Sequence, residues 1–316
     1  MEYAKLGNTD IEVSKLCVGC MSFGKAGTLH DWTVDEAETE KIVKHALDLG
    51  INFFDTANGY SEGTSEEYLG RAIKKNIARD KVVIASKVYF NPGRLSSAAI
   101  HREIEGTLER LGTDYLDLYI IHRFDYDTPI EETMGALDQI VRSGKALYIG
   151  ISRYTPEQTE VAIRTLRELG TPMLIHQENY SMLNRKIEAG LTDVLTREGV
   201  GLMAFGPLAG GRLTGKYQAG IPADSRIGHD PRYLKAEMLT PGLHAAIDAL
   251  TKIADARGET LSQLALQWAL RDKAVTSALI GASRAEQITE NVAALSLPPL
   301  TGEELAQIDA ALALNE

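Results

Sequence analysis

The chain has 316 residues, 44% of them hydrophobic and 24% charged, and a formal net charge of −11. These totals suit an ordinary soluble globular protein of two domains or one large α/β barrel; they argue against an extended nucleic-acid or anionic-membrane surface but leave room for a local basic pocket. No run of about 18 apolar residues implies a transmembrane helix, and the opening MEYAKLGNTDIEV lacks the basic and apolar regions of a signal peptide, so a cytoplasmic location is the expectation.

In chain order, a hairpin candidate (YAKLGNTDIEV) is followed by short apolar runs that read as strands. They are KLCVG (15–19), INFFD (51–55), VVIASK (82–87), LDLYIIH (116–122), ALYIGIS (146–152), LIHQENY (174–180), VGLMAFG (200–206) and SALIG (277–281). Runs this continuously apolar point to parallel strands covered on both faces. Stretches of helical period separate them. TVDEAETEKIVKHALDLG ends at Gly50 as a C-cap candidate, and TSEEYLGRAIKKN opens with Thr64 and Glu67 in capping-box spacing. SSAAIHREIEGTLERLG, PIEETMGALDQIVRSG and TPEQTEVAIRTLRELG also finish at glycine, the last two with a proline near the start.

Eight such units predict a closed (β/α)8 TIM barrel, one domain over residues 1–316, with the hairpin covering one end. An open doubly wound sheet is the alternative. The longest interruption, residues 207–242 after the seventh strand, is rich in Gly and Pro, and a loop of that length inside a barrel is usually functional. Residues 243–271 then supply two helices before the last strand.

Cys17 and Cys20 form CVGC, in surroundings that look like a strand entering a Gly-rich loop rather than the helix start that activates a thiol. No further cysteine completes a zinc site, so both are expected to pack as apolar residues. The seven histidines show no metal-ligand spacing, and no catalytic metal is expected.

Chemistry in such a barrel belongs at the C-terminal ends of the strands. There the second strand ends in Asp55, with Tyr60 close behind; Lys87 ends the third and His122 the fourth. A tyrosine titrates near ~10 in water, and an adjacent ammonium lowers that value by stabilising phenolate. Lys87 is placed to do so, with Asp55 holding it charged and His122 bonding a substrate oxygen or sharing the proton relay. The set suits reduction of a carbonyl, in which hydride reaches carbon while Tyr60 protonates oxygen. Alone, each residue also has a plain structural reading as a loop cap, a packed tyrosine, a rim lysine or a loop histidine. Convergence at neighbouring strand ends favours the joint one.

GINFFDTANGY, the strand-ending Lys87 and YLDLYIIHR resemble the Asp–Tyr–Lys–His tetrad of the aldo-keto reductases, and the likeness covers essentially the whole chain. It resembles the bacterial branch related to voltage-gated potassium channel β subunits. SALIGASRAEQITENV looks closest to glyceraldehyde 3-phosphate reductases, whereas CVGCMSFG and IHRFDYDTPIEET look like a bacterial group acting around deoxyxylulose phosphate.

Hydride chemistry needs a carrier. The one near-match to a Rossmann fingerprint, GVGLMA from Gly199, enters a strand instead of following one, so the cofactor is placed in the barrel mouth. The resemblance implies that Ser152 and Gln177 bond a nicotinamide carboxamide and that Phe205 stacks on its ring. It sets Arg153 where many members carry Asn and the channel subunits Arg. In FGPLAGGRLTGKY, the run Gly206, Pro207, Leu208, Ala209 and Gly210 matches the family's pyrophosphate loop, with Lys216 adding charge and Arg226 matching a position that reaches the cofactor. Gly281 and Ser283 end the eighth strand, and Gln287, Glu290 and Asn291 share one face of the helix that follows. Ser283 and Arg284 at that helix's start suit a 2′-phosphate, so NADPH is preferred over NADH.

Met21, Trp32, Tyr89 and Phe90 are candidates to wall the substrate pocket, and Trp32 equally to staple the helix after it. Arg123 is placed either to receive an anionic substrate or to pair with Asp125. The expected partner is a small-molecule carbonyl compound, with no nucleic acid and no membrane; a homo-oligomer is compatible. Two rival functions stand beside the reductase. One is a nicotinamide-bound redox sensor or regulatory subunit with slow turnover, like the channel β subunits, which lack a histidine at the position of His122. The other is an aldolase using Lys87 as a Schiff base.

Overall fold

A computed structural model describes residues 1–28, 32–223, 225–229 and 234–315. Two short strands, β1 (Tyr3–Lys5) and β2 (Glu12–Ser14), pair antiparallel as the expected hairpin. The apolar runs form β3 (Leu16–Gly19), β4 (Phe53–Asp55), β5 (Val83–Val88), β6 (Leu116–Ile121), β7 (Ala146–Ser152), β8 (Met173–Asn179), β9 (Gly201–Phe205) and β10 (Val275–Gly281). All pair in parallel, and β10 bonds to both β9 and β3, so the barrel is closed and the open sheet is excluded. β4 is shorter than the sequence pattern suggests. Asn52 leaves the strand because its side chain accepts the Ser14 N–H at 2.8 Å and donates to the Glu12 carbonyl, tying the hairpin down.

Around the barrel run α1 (Glu36–Asp48), α2 (Thr64–Asn76), α3 (Ser97–Leu111), α4 (Ile130–Arg142), α5 (Pro156–Leu169) and α6 (Leu191–Glu198). The long loop after β9 carries the short α7 (Arg226–His229); α8 (Pro241–Arg257), α9 (Leu261–Leu270), α10 (Ala285–Ala293) and α11 (Gly302–Leu312) complete the chain. Glycines in left-handed geometry stop α3 and α5, as their sequences suggest. The expected capping box of α2 is absent. Its N-cap is Gly63, and Thr64 instead turns its hydroxyl back to the Ser61 carbonyl at 2.7 Å. Among the described residues no helix is long and apolar enough to cross a membrane.

Strand alternation sorts the side chains into two cores. Phe53, Val83, Ala85, Leu118, Ile120, Ile175 and Met203 fill the barrel interior together with Leu6 and Val13 of the hairpin. Phe54, Ile84, Tyr119 and Ile121, one step out of phase, pack against the helices. The hairpin therefore seals the end where the strands begin. Two residues on from Phe53, Ala85, Ile120 and Ile175, the inward positions fall on Asp55, Lys87, His122 and Gln177 at the other end. The parity that builds the core also aims these polar groups into the mouth.

Two glycines test the packing of the helical layer. A Cβ on Gly70 of α2 would lie 2.2 Å from the Leu111 carbonyl oxygen and 2.6 Å from its carbon, whereas one on Gly135 of α4 would meet nothing within 4 Å. Gly135→Ala should raise stability by about 0.5–1 kcal/mol through helix propensity. Gly70→Ala should lose roughly 1–3 kcal/mol despite the same gain, because α2 and α3 must separate. Urea unfolding midpoints decide it; matching shifts in the two variants would refute the close α2–α3 contact.

Candidate active site

At the mouth the Lys87 Nζ, fully buried, donates to the Asp55 Oδ2 at 2.7 Å and to the Thr56 carbonyl at 2.6 Å. The second Asp55 oxygen accepts from the Gln177 Nε2 at 2.9 Å, so strands on opposite sides of the barrel meet at one carboxylate. Burial by itself works against the Lys87 ammonium, but the Asp55 charge and then the Tyr60 oxygen turn the net shift upward and keep the amine protonated. Burial likewise pushes the Asp55 carboxyl up, against the lowering pull of Lys87 and of the Gln177 amide.

Tyr60 enters from the loop after β4. The turn that presents it runs through left-handed backbone at Ser61 (φ 47°), Glu62 (φ 55°) and Gly63 (φ 91°), of which only the last is free of strain. That strain is held by the Thr64 bond to Ser61 and by the Ser61 Oγ donating to the Phe23 carbonyl at 3.2 Å. The Lys87 Nζ lies 4.7 Å from the centroid of the Tyr60 ring. Burial raises the Tyr60 pKa, and Lys87 is the largest influence drawing it back. The sequence expectation was a lowered phenol; the lysine acts in that direction, but the removal of water outweighs it.

His122 follows directly on β6, one residue beyond the strand, and its backbone N–H bonds the Val88 carbonyl at 3.0 Å. Its ring stands edge-on to Tyr60 at 5.7 Å and to Phe90 at 4.9 Å. Burial, reinforced by Lys87, Arg153 and Arg123, holds its pKa well below the usual imidazole range. The ring is therefore neutral at physiological pH, and its buried Nδ1 has no hydrogen-bond partner among the described residues. Asp55, Tyr60, Lys87 and His122 thus converge.

The residues expected around a cofactor are placed as follows. Ser152 ends β7, buried, and its Oγ has no hydrogen-bond partner among the described residues. A buried hydroxyl of that kind, in register with Gln177 on the neighbouring strand, fits an amide-bearing group entering the mouth. Arg153 takes a left-handed conformation (φ 59°), and its guanidinium lies 5.0 Å from the centroid of Phe205. Gly206, Ala209 and Gly210 all have positive φ, and Ala209 N–H and Gly211 N–H bond the carbonyls of Gly206 and Leu208, with Pro207 between them. Lys216 reaches over Tyr217 at 5.0 Å. The Arg226 side chain lies outside the described residues.

At the end of β10, beyond Gly281, the Ser283 N–H bonds the Gln287 Oε1 at 2.8 Å, and Arg284 is the exposed N-cap of α10. Asn291 is buried on that helix, while the Glu290 carboxylate is drawn toward α9 by the Thr260 hydroxyl at 3.0 Å. The face shared in the helical pattern is thus divided between two surroundings. Cys17 and Cys20 are buried and unpaired. Arg123 is not joined to Asp125, contrary to one of the two readings above; the Asp125 carboxylate is taken by Arg94, Thr128 and the Leu95 and Asp127 N–H groups. The Thr56 carbonyl and the Gln177–Asp55 bond were missed. A backbone acceptor carries no sequence signal, and a bond across the barrel is visible only once the strand order is known.

Removing one member of the buried pair should be worse than removing both. Asp55→Asn is expected to destabilise the fold by about 3–5 kcal/mol, since it leaves the Lys87 charge without its partner. Adding Lys87→Met should restore part of that loss. Chemical denaturation of the two single variants and the double variant checks it; strictly additive losses would mean the two groups are independent.

Comparison with known proteins gives the same outline. A family model described as "Aldo/keto reductase family" matches residues 15–313. The L-glyceraldehyde 3-phosphate reductase of Escherichia coli (strain K12) is 42% identical, over 100% of this chain and 94% of its own length. An Arabidopsis thaliana protein named "Probable voltage-gated potassium channel subunit beta" is 35% identical over 95% of this chain and 93% of its own, and one of the same name from Oryza sativa subsp. japonica is 34% identical over 98% and 96%.

Proposed function

Because the chain belongs to the aldo/keto reductase family of carbonyl-reducing oxidoreductases, we propose that it is an NADPH-dependent reductase of aldehydes or ketones in which Tyr60 supplies the proton. Phosphorylated and sugar-like carbonyls are included in the substrate range. The observation that carries this reading is the buried Lys87 held between Asp55 and the Tyr60 ring. When bound, the nicotinamide cofactor supplies hydride to the carbonyl carbon.

The residues divide the remaining work. The Tyr60 hydroxyl gives its proton to the carbonyl oxygen as negative charge develops there. Lys87 stabilises the phenolate left behind, and Asp55 keeps the ammonium oriented and charged. His122, neutral, bonds the same carbonyl oxygen and fixes its angle without competing as an acid. Ser152 and the oxygen of Gln177, whose nitrogen is committed to Asp55, hold the carboxamide. Phe205 offers a flat face once the Arg153 guanidinium leaves it. Gly206, Leu208 and Gly210 supply backbone N–H groups for the pyrophosphate, Pro207 and Ala209 shape the loop between them, and Lys216 and Arg226 add charge. Ser283 and Arg284 take the 2′-phosphate, and Gln287, Glu290 and Asn291 line the helix beside it.

The similarity to proteins named as channel subunits keeps the slow-turnover sensor as the second reading. The protonated state of Lys87 works against a Schiff-base enzyme, which needs the free amine.

Tyr60→Phe should reduce turnover of an aldehyde such as 4-nitrobenzaldehyde on the order of 10²–10⁴-fold, with NADPH affinity nearly intact by fluorescence titration; unchanged turnover refutes the assignment. Wild-type protein that binds NADPH tightly without turning over would move the reading to the sensor. Arg284→Ala should weaken NADPH about tenfold or more and leave NADH nearly unaffected. Equal losses for the two dinucleotides would place the 2′-phosphate elsewhere.

A further inference from the structure

Arg153 and Arg123 both act on His122, a third arginine, Arg94, lies over the neighbouring Tyr89, and the three differ in what they touch. Arg94 is neutralised by Asp127 at 2.6 Å and Asp125 at 3.4 Å. Arg153 is stacked on Phe205. Arg123 is exposed, and among the described residues it has no carboxylate partner, in a chain whose net charge is −11 and whose exposed arginines are widely paired, as Arg71 with Glu36 or Arg197 with Glu160. The nearest acid in sequence, Asp125, is fully engaged elsewhere.

The Arg123 guanidinium is held 5.3 Å from the centroid of Phe90, and the Phe90 ring lies 4.9 Å from the His122 ring. Phe90 is itself 52% exposed, braced edge-on by Tyr89 at 5.1 Å. A guanidinium resting on an aromatic face loses less freedom when it forms its two parallel hydrogen bonds, and it meets a tetrahedral oxyanion two-pronged. One phenyl ring thus contacts both a neutral imidazole and a cation that has no carboxylate partner among the described residues.

We infer that Arg123, supported by Phe90, is the residue that reads a phosphate at the far end of a short-chain carbonyl substrate whose oxygen lies at His122. This rests on the reading of the mouth as a carbonyl site. Phe90 covers the carbon chain between the two ends, so Arg123 sets specificity and takes no part in the proton transfer.

Calorimetric titration of the full chain with glycerol 3-phosphate, glycerate and glycerol, and the KM values for glyceraldehyde 3-phosphate and glyceraldehyde, test it in wild type, Arg123→Gln and Arg123→Lys. Wild type should bind glycerol 3-phosphate in preference to the other two, more weakly at high salt. In Arg123→Gln the preference for phosphorylated over unphosphorylated ligand should fall about tenfold to a hundredfold, with Arg123→Lys in between and unfolding midpoints unchanged. An unchanged preference in Arg123→Gln, or glycerate bound as tightly as glycerol 3-phosphate, overturns the inference. Failure of the two readings looks different. Arg123-dependent binding of glycerol 3-phosphate without reduction of either aldehyde supports the anion site and sinks the reductase, whereas reduction of both aldehydes without an Arg123-dependent preference does the reverse.

Discussion

A lysine with no exposed surface depends on what surrounds it. Lys87 stays charged because the Asp55 carboxylate meets it at 2.7 Å, and Asp55 stays in place because Gln177 reaches it across the barrel at 2.9 Å. The second bond forms only when the barrel is closed, since β4 and β8 are not neighbours in the sheet, whereas β4 and β5, which carry the first, are. Closure and the buried charge pair are therefore linked through the Asp55 carboxylate. In that buried site the loss of water raises the Tyr60 pKa, and the Lys87 ammonium is the main influence set against it.

Much of this is legible in the sequence because one rule serves two purposes. Inward and outward residues alternate along a strand, so a run that ends in a polar residue two places beyond an inward apolar one must point that residue at the mouth. Phe53 to Asp55, Ala85 to Lys87 and Ile120 to His122 obey it. The fold class and the convergence of Asp55, Lys87 and His122 are recoverable on that ground, and Tyr60 follows from its closeness in sequence to Asp55.

What is not recoverable depends on groups without a pattern. The Thr56 carbonyl bonds Lys87, Asn52 shortens β4 to hold the hairpin, and Thr64 gives up a capping role to brace the strained turn beneath Tyr60. The fate of Asp125 is of the same kind, since Arg123 lies two residues away in sequence and Arg94 thirty-one, yet the distant arginine takes it. Local spacing cannot rank such competitors, because the outcome depends on which loops the barrel brings side by side. The net rise in the Tyr60 pKa is a similar case. Its neighbours can be named from sequence, but the amount of water excluded around it cannot.

The closing seam of the barrel joins the two ends of the chain. The Ser277 hydroxyl bonds the Ser14 carbonyl across 263 residues, the Ser22 hydroxyl bonds the Ala282 carbonyl across 260, and β3 pairs with β10 along its length. During synthesis, β3 emerges well before β10, and one of its edges waits for a partner until residues 275–281 have left the ribosome. For that interval it presents apolar residues and unpaired backbone groups to any other nascent strand. The same seam gives the fold many contacts of high sequence separation, so it folds slowly for its size, and a chain truncated before residue 275 would keep β3 as a permanent sticky edge.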